Sequence, residues 1–176
     1  MPLSIRPLIL SASIAATALL CACGSIPPSQ PATPARADPT QMVAAVRAAA
    51  GSGEGELAVQ PLRDPMVEDL RQQAVTLEQQ QRYADAAAAL DKALAITPDD
   101  PAVLQERAEV ALLLKDFDGA EQRARRAYDI GAKVGPLCRR HWATIRAVRY
   151  AFNDGAGAAE ANRQLAACKV AALERF

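Results

Sequence analysis

Between Val67 and Lys133 the apolar residues return at steps of three and four, the spacing that gathers side chains on one face of an α-helix. Val67, Leu70, Ala74 and Leu77 make one such run, and Ala86, Ala87, Leu90, Ala93 and Leu94 make a second after a break near Gln81 and Arg82. The pattern predicts helix, turn, helix. It is then written again: at an offset of 34 residues Leu70 falls on Leu104, Ala74 on Ala108, Tyr83 on Phe117, Ala86 on Ala120, Ala93 on Ala127 and Ile96 on Ile130. The aromatic and isoleucine matches carry this assignment, because in an alanine-rich segment the alanine pairs arise easily. Tyr83 and Phe117 open the second helix of each copy, where a ring can close the top of a hairpin. Ala74, Ala86, Ala108 and Ala120 stand where two helices must approach closely. Asp64 before Pro65 and Asp100 before Pro101 read as N-caps with proline at the first helical position.

The flanks follow the same logic less regularly. Thr40 to Ala50 predicts a short helix with Met42, Val43 and Val46 on one side, ended by Gly51, Ser52, Gly53 and Gly55; Glu56 to Leu62 reads as extended. Beyond Lys133, Pro136 opens a helix that places Cys138, His141, Ile145, Val148 and Phe152 on one face. Asn153, Asp154 and Gly155 turn the chain, and Ala158, Ala161, Leu165, Cys168 and Ala172 line the return. Setting Trp142 against Leu70 and Leu104 brings Ala158 to the place of Ala86 and Ala120, but puts Arg146 where a small residue belongs.

The repeat resembles the tetratricopeptide repeat, which asks for a large residue at its fourth place, small residues at the eighth and twentieth, and a closing proline. Leu70, Ala74, Leu77, Ala86, Leu90, Ala93 and Pro98 supply these in the first copy, and Leu104, Ala108, Ala111, Ala120, Ala124 and Ala127 in the second. Gln73 and Arg107 depart from the leucine preferred at the seventh place, and Ala132 stands for the closing proline. The resemblance implies an all-α fold: a short right-handed α-solenoid of about three hairpins, the third degenerate and capping, over residues 64–176. In that family the inner helices line a concave groove that binds partners. The matching places here are Glu68, Arg71, Val75 and Glu78, then Gln105, Glu109 and Leu112.

The N-terminal segment lies outside this pattern. Arg6 precedes an apolar stretch, Leu8 to Leu20, too short to span a membrane stably. Leu20-Cys21-Ala22-Cys23 resembles the bacterial lipobox, which implies a signal peptide over residues 1–22 and a diacylglycerol, with its palmitate, on Cys23; ordinary secretion by cleavage is the alternative. Gly24 replaces the aspartate that retains lipoproteins of this kind at the inner membrane, so the resemblance implies the outer membrane of a Gram-negative bacterium, facing the periplasm. Pro27, Pro28, Pro31, Pro34 and Pro39 make Ser25 to Pro39 a stiff tether, extended over about 45 Å at about 3.1 Å per residue. Anchor and linker together take residues 23–63.

Composition narrows the chemistry. Lysine and arginine total 20 and aspartate and glutamate 20, a formal charge of zero that argues against a general nucleic-acid binder. Gln60 to Asp100 is net acidic and Ala124 to Phe176 net basic. With Cys21 removed and Cys23 acylated, Cys138 and Cys168 remain, each about fifteen residues from the hairpin tip at Asn153, and an exported protein permits a disulfide between them. Two other readings stand beside it: free buried thiols, or a metal set completed by His141 at i, i+3 from Cys138, for which no fourth ligand is evident. No nucleophile elbow or phosphate loop occurs, and the carboxylate pairs Asp99 with Asp100 and Asp116 with Asp118 sit where helix capping explains them. Arg139, Trp142, Arg146 and Arg149 fall close to one helical stripe that can grip carboxylates or anionic lipid heads, unless it is simply a solvated face. The expectation is a non-enzymatic scaffold without cofactor or metal, binding other envelope proteins or peptides, attached to a membrane by its lipid, and oligomeric if three hairpins need support. Lipoproteins of this type serve envelope assembly, secretion or pilus biogenesis. The rival is a structural envelope-stability or cell-wall-enzyme regulatory lipoprotein with no dedicated peptide ligand.

Overall fold

The computed structural model describes residues 38–51 and 64–169. The predicted signal peptide, Cys23, most of the proline tether, the Glu56–Leu62 segment and Ala172 lie outside the described residues. Seven helices are described, α1 (Pro39–Ala48), α2 (Pro65–Gln79), α3 (Tyr83–Ile96), α4 (Pro101–Leu113), α5 (Phe117–Ile130), α6 (Gly135–Ala151) and α7 (Gly155–Ala167), with no strand among the described residues. Helices α2 and α3, α4 and α5, and α6 and α7 pair as hairpins; α3 then packs on α4 and α5 on α6, so the hairpins stack in chain order as an α-solenoid.

Each hairpin turns in the same way. Gln81, Lys115 and Asn153 hold positive φ at 59°, 62° and 57°. The amide of the following residue reaches back to the fifth carbonyl before it: Arg82 to Leu77 (2.9 Å), Asp116 to Ala111 (2.9 Å) and Asp154 to Arg149 (2.8 Å). The positive-φ residues themselves donate to Glu78, Leu112 and Tyr150 at 2.9, 2.9 and 3.0 Å. These two bonds are a Schellman closure, made three times. The third turn fixes the register of the last hairpin: Trp142 stands in the place of Leu70 and Leu104, and Ala158 in that of Ala86 and Ala120. The extra residues fall between α5 and α6, where Lys133 donates to the carbonyls of Tyr128 and Asp129 and lies over the Tyr128 ring, 4.1 Å from its centroid.

Small residues set the stacking distance. Ala86, Ala108, Ala120 and Ala158 are fully buried, and Ala74 is nearly so. Around them Leu90, Leu112, Ile145, Val103, Val110 and Val148 form the core, each contributing about 1.5 to 3 kcal/mol by leaving water. Ile96 and Ile130, one of the repeat's clearest sequence matches, are instead exposed by 40% and 44%. Arg107, at the place where leucine is usual, is buried to 8% and turns its guanidinium to Asp91 of α3, with Nε 2.8 Å from Oδ1. Cys138 and Cys168 are joined by a disulfide with Cα atoms 5.7 Å apart, closing the base of the last hairpin.

Helix α1 is not part of any hairpin. Its N-cap Asp38 accepts from the Thr40 amide at 3.1 Å with Pro39 at the helix start, the same Asp-Pro opening that starts α2 and α4. Its face of Met42, Val43 and Val46 packs on Ala111 and Leu112 of α4 and on Ala143, Ala147 and Val148 of α6.

Candidate functional site, the concave face

Helices α2, α4 and α6 come first in their hairpins, and α1 rests on the last two of them. The part of this face that stays open is a cavity of about 380 Å³ between α1, α2, α4 and α6 with α3 at its base, lined by Arg47, Arg71, Val75, Glu78, Tyr83, Glu106 and Arg140 among others. Its walls are charged and its floor apolar: Ala74 and Leu90 face it from below, and Val75 is 43% exposed.

The charges are arranged in alternating pairs. Arg71 makes a two-pronged bond to Glu106, with Nε to Oε2 at 2.8 Å, and also reaches Glu68 of its own helix at 2.5 Å. The Glu106 bond raises the Arg71 pKa against the effect of its partial burial. Arg47 of α1 bridges two carboxylates, Glu78 at 2.7 Å and Glu109 at 2.8 Å. Burial works against the Arg47 charge, but the two carboxylates outweigh it and raise its pKa. Arg140 approaches Glu109 from the other side at 2.6 Å.

Behind Glu109 the polar groups continue inward. Gln105 donates from Nε2 to Glu109 Oε1 (2.9 Å) and Thr144 Oγ1 (2.8 Å), and its Oε1 lies 2.7 Å from His141 Nδ1. Because the amide oxygen can only accept, the network puts the histidine proton on Nδ1 and leaves Nε2 buried without a partner. Burial pushes the His141 pKa down to about 3, aided by the positive charges of Arg140 and Lys133. With both sulfurs of Cys138 and Cys168 bonded to each other, His141 is a core residue turned toward Gln105.

Of the expected groove residues, Glu68, Arg71, Val75 and Glu78 sit together on α2 with side chains in or beside the open cavity. Gln105, Glu109 and Leu112 do not belong to an open lining. All three are 0% exposed, because α1 covers Glu109 and Leu112 while Gln105 is enclosed between α4 and α6. The arginine stripe is likewise not a free cationic face. Arg139 is buried to 8% and donates to the Ala50 carbonyl at the end of α1, with Nε 3.0 Å away. Trp142 packs edge-on against Tyr128 at 5.0 Å with its Nε1 buried and unpartnered. Arg146 donates to Asn162 Oδ1 at 2.9 Å, and Arg149 binds Glu121 and, at 3.1 Å, Asp154. The stripe breaks up because each arginine finds an acceptor on a different neighbouring helix. Arg47, Tyr83, Glu106 and Arg140 were missed. Glu106 is one residue off the groove register of α4, and Arg47 reaches the site only through the docking of α1.

No group of three or more histidine, cysteine or acidic residues able to hold a metal occurs among the described residues. No described helix is long and apolar enough to cross a membrane.

The tetratricopeptide-repeat family model matches residues 77–132. The chain is also similar to the solved globular C-terminal domain of P. aeruginosa LpoP, at 31% identity and a TM-score of 0.57, over 60% of this chain and 99% of that one. No curated protein matches the chain.

Proposed function

The chain belongs to the tetratricopeptide-repeat family, and from that premise we propose that it is a non-enzymatic adaptor of the bacterial envelope that binds other proteins on its concave face. Lipidation at Cys23 holds it at the outer membrane, with the domain facing the periplasm. The observation that carries the binding role is the open α2 side of the groove, where Val75 is exposed between the Arg71–Glu106 and Arg47–Glu78 pairs. An apolar spot framed by both signs of charge suits an extended or helical protein segment, whose backbone and side chains find donors and acceptors already held in place. That rigidity is the repeat's contribution, because a pre-ordered surface leaves less entropy to be lost on association. The lipobox-like run and the similarity to a P. aeruginosa domain support the envelope address.

A photo-crosslinking amino acid in place of Val75, in intact cells, is expected to give a discrete protein adduct that the same substitution at Gln122, on α5, does not give. Arg71→Glu places like charge against Glu106 and Glu68 and should reduce the Val75 adduct at least tenfold while the far-UV circular dichroism stays unchanged. No adduct at Val75, an adduct that Arg71→Glu leaves unchanged, or equal adducts from both positions would overturn the reading. Cys23→Ser should abolish palmitate labelling and release the protein from the membrane fraction.

A further inference from the structure

Helix α1 stands on the repeats where a ligand would. The places that Arg71, Val75 and Glu78 hold on α2 are held 34 residues later by Gln105, Glu109 and Leu112 on α4. The first three border open space, whereas Glu109 and Leu112 lie under α1. On α6 the third-repeat equivalents of Arg71 and Val75 are Ala143 and Ala147, and they too pack on α1.

We infer that α1 is a tethered occupant of the groove. Its seat is then a receptor for an amphipathic helix with a Met/Val-sized apolar face and an arginine beside it, so a partner helix of that chemistry binds by displacing α1. The inference rests on the reading of the concave face as the binding surface. Three observations make α1 displaceable rather than a fixed wall. It pairs with no hairpin, and its apolar hold on the domain is three buried side chains, Met42, Val43 and Val46. It leaves its seat part-empty: a cavity of about 310 Å³ runs alongside it, lined by its own Met42 and Val46 and by Ala143 and Tyr150 of α6. Its departure leaves the deepest charge paired, since Glu109 keeps Arg140 at 2.6 Å and Gln105 at 2.9 Å, while the contacts given up are Arg47 to Glu78 at the edge and Arg139 to the Ala50 carbonyl.

The demand for arginine comes from the seat. Glu109 is wholly buried under α1 and Glu78 stands at its edge, and both accept from the one guanidinium of Arg47. A planar donor fork reaches two carboxylates at once, which an ammonium serves less well. In α1 this arginine directly follows Val46, so the apolar face and the charge enter together.

The test uses a fluorescent peptide of residues 38–50 as probe and the full mature chain as receptor. In Met42→Glu/Val46→Glu the resident helix is expelled, and the probe is expected to bind at least tenfold more tightly than to the unaltered protein. A probe carrying Arg47→Glu should lose at least tenfold of that affinity. A variant that melts cooperatively but does not bind, or that binds both probes alike, overturns the inference. Hydrogen exchange on the unaltered protein decides it independently of how the variant folds. Amides of Val46 and Arg47 should exchange at least a hundredfold faster than those of Val110 to Leu112, and equal protection would show that α1 leaves only when the whole domain unfolds. The Val75 adduct does not depend on the probe. An adduct with a failed probe removes the displacement alone, and a bound probe without an adduct removes the partner reading alone.

Discussion

His141 is the one histidine of the chain, and its surroundings tie folding to acidity. In the folded state burial holds its pKa at about 3, against 6.5 for a free imidazole. The unfolded chain therefore takes up a proton below pH 6.5 that the folded chain refuses, and stability falls as the pH drops from 6.5 towards 3. At about 1.4 kcal/mol per pH unit, urea unfolding at pH 5 should show a loss of roughly 2 kcal/mol relative to pH 7.5. Above pH 5 the ordinary carboxylates are already ionised, so His141→Gln should give a nearly flat profile across the same range. The position was legible in the sequence as an inward place on a helix. Its partner Gln105 was not, because a glutamine on a groove-lining place reads as exposed until the neighbouring helix that encloses it is known.

At the scale of the helices, the hairpin turns were legible as breaks but not as chemistry. Gln81, Lys115 and Asn153 differ in type, and two of them are poor at the left-handed conformation they adopt; their shared role shows only once the carbonyls of Leu77, Ala111 and Arg149 are seen to meet the returning amides. Gln81→Gly should relieve the turn and raise unfolding free energy by about 0.5 to 1 kcal/mol, whereas Gln81→Val should lower it; chemical denaturation distinguishes the two. The helix starts were clearer. Asp before proline marked α2 and α4 correctly, and the same pair at Asp38–Pro39 starts α1 one residue earlier than its apolar face alone suggests. Where helices touch, alanine admits no growth. Ala120, with no exposed surface, meets its neighbours closely enough that Ala120→Leu should cost about 1 to 3 kcal/mol, read as a lower denaturant midpoint with an unchanged slope.

For the whole molecule, the first two hairpins followed from the 34-residue pattern and the third from its own apolar faces, and their stacking in order was legible because each contact in a repeat array is local. The seat of α1 did not. Met42, Val43 and Val46 announce an apolar face, but nothing between Pro39 and Ala48 specifies that α4 and α6 will receive it across more than sixty residues of chain. The last hairpin packs on one neighbouring hairpin only, and the disulfide compensates by closing a 30-residue separation. Cys138→Ala/Cys168→Ala should cost about 3 to 4 kcal/mol on the chain-entropy model, and α6 and α7 should lose hydrogen-exchange protection before α2 and α3 do. Sequence order and spatial order part company at α1, which precedes α2 in the chain yet rests on α4 and α6. Tension applied at the N-terminal end therefore loads the three buried apolar side chains of α1 and its Arg47 ion pairs before it strains any repeat. Pulled from that end, the ten residues of α1 are expected to uncoil before the solenoid yields, which force spectroscopy would read as a small first extension ahead of the main unfolding event.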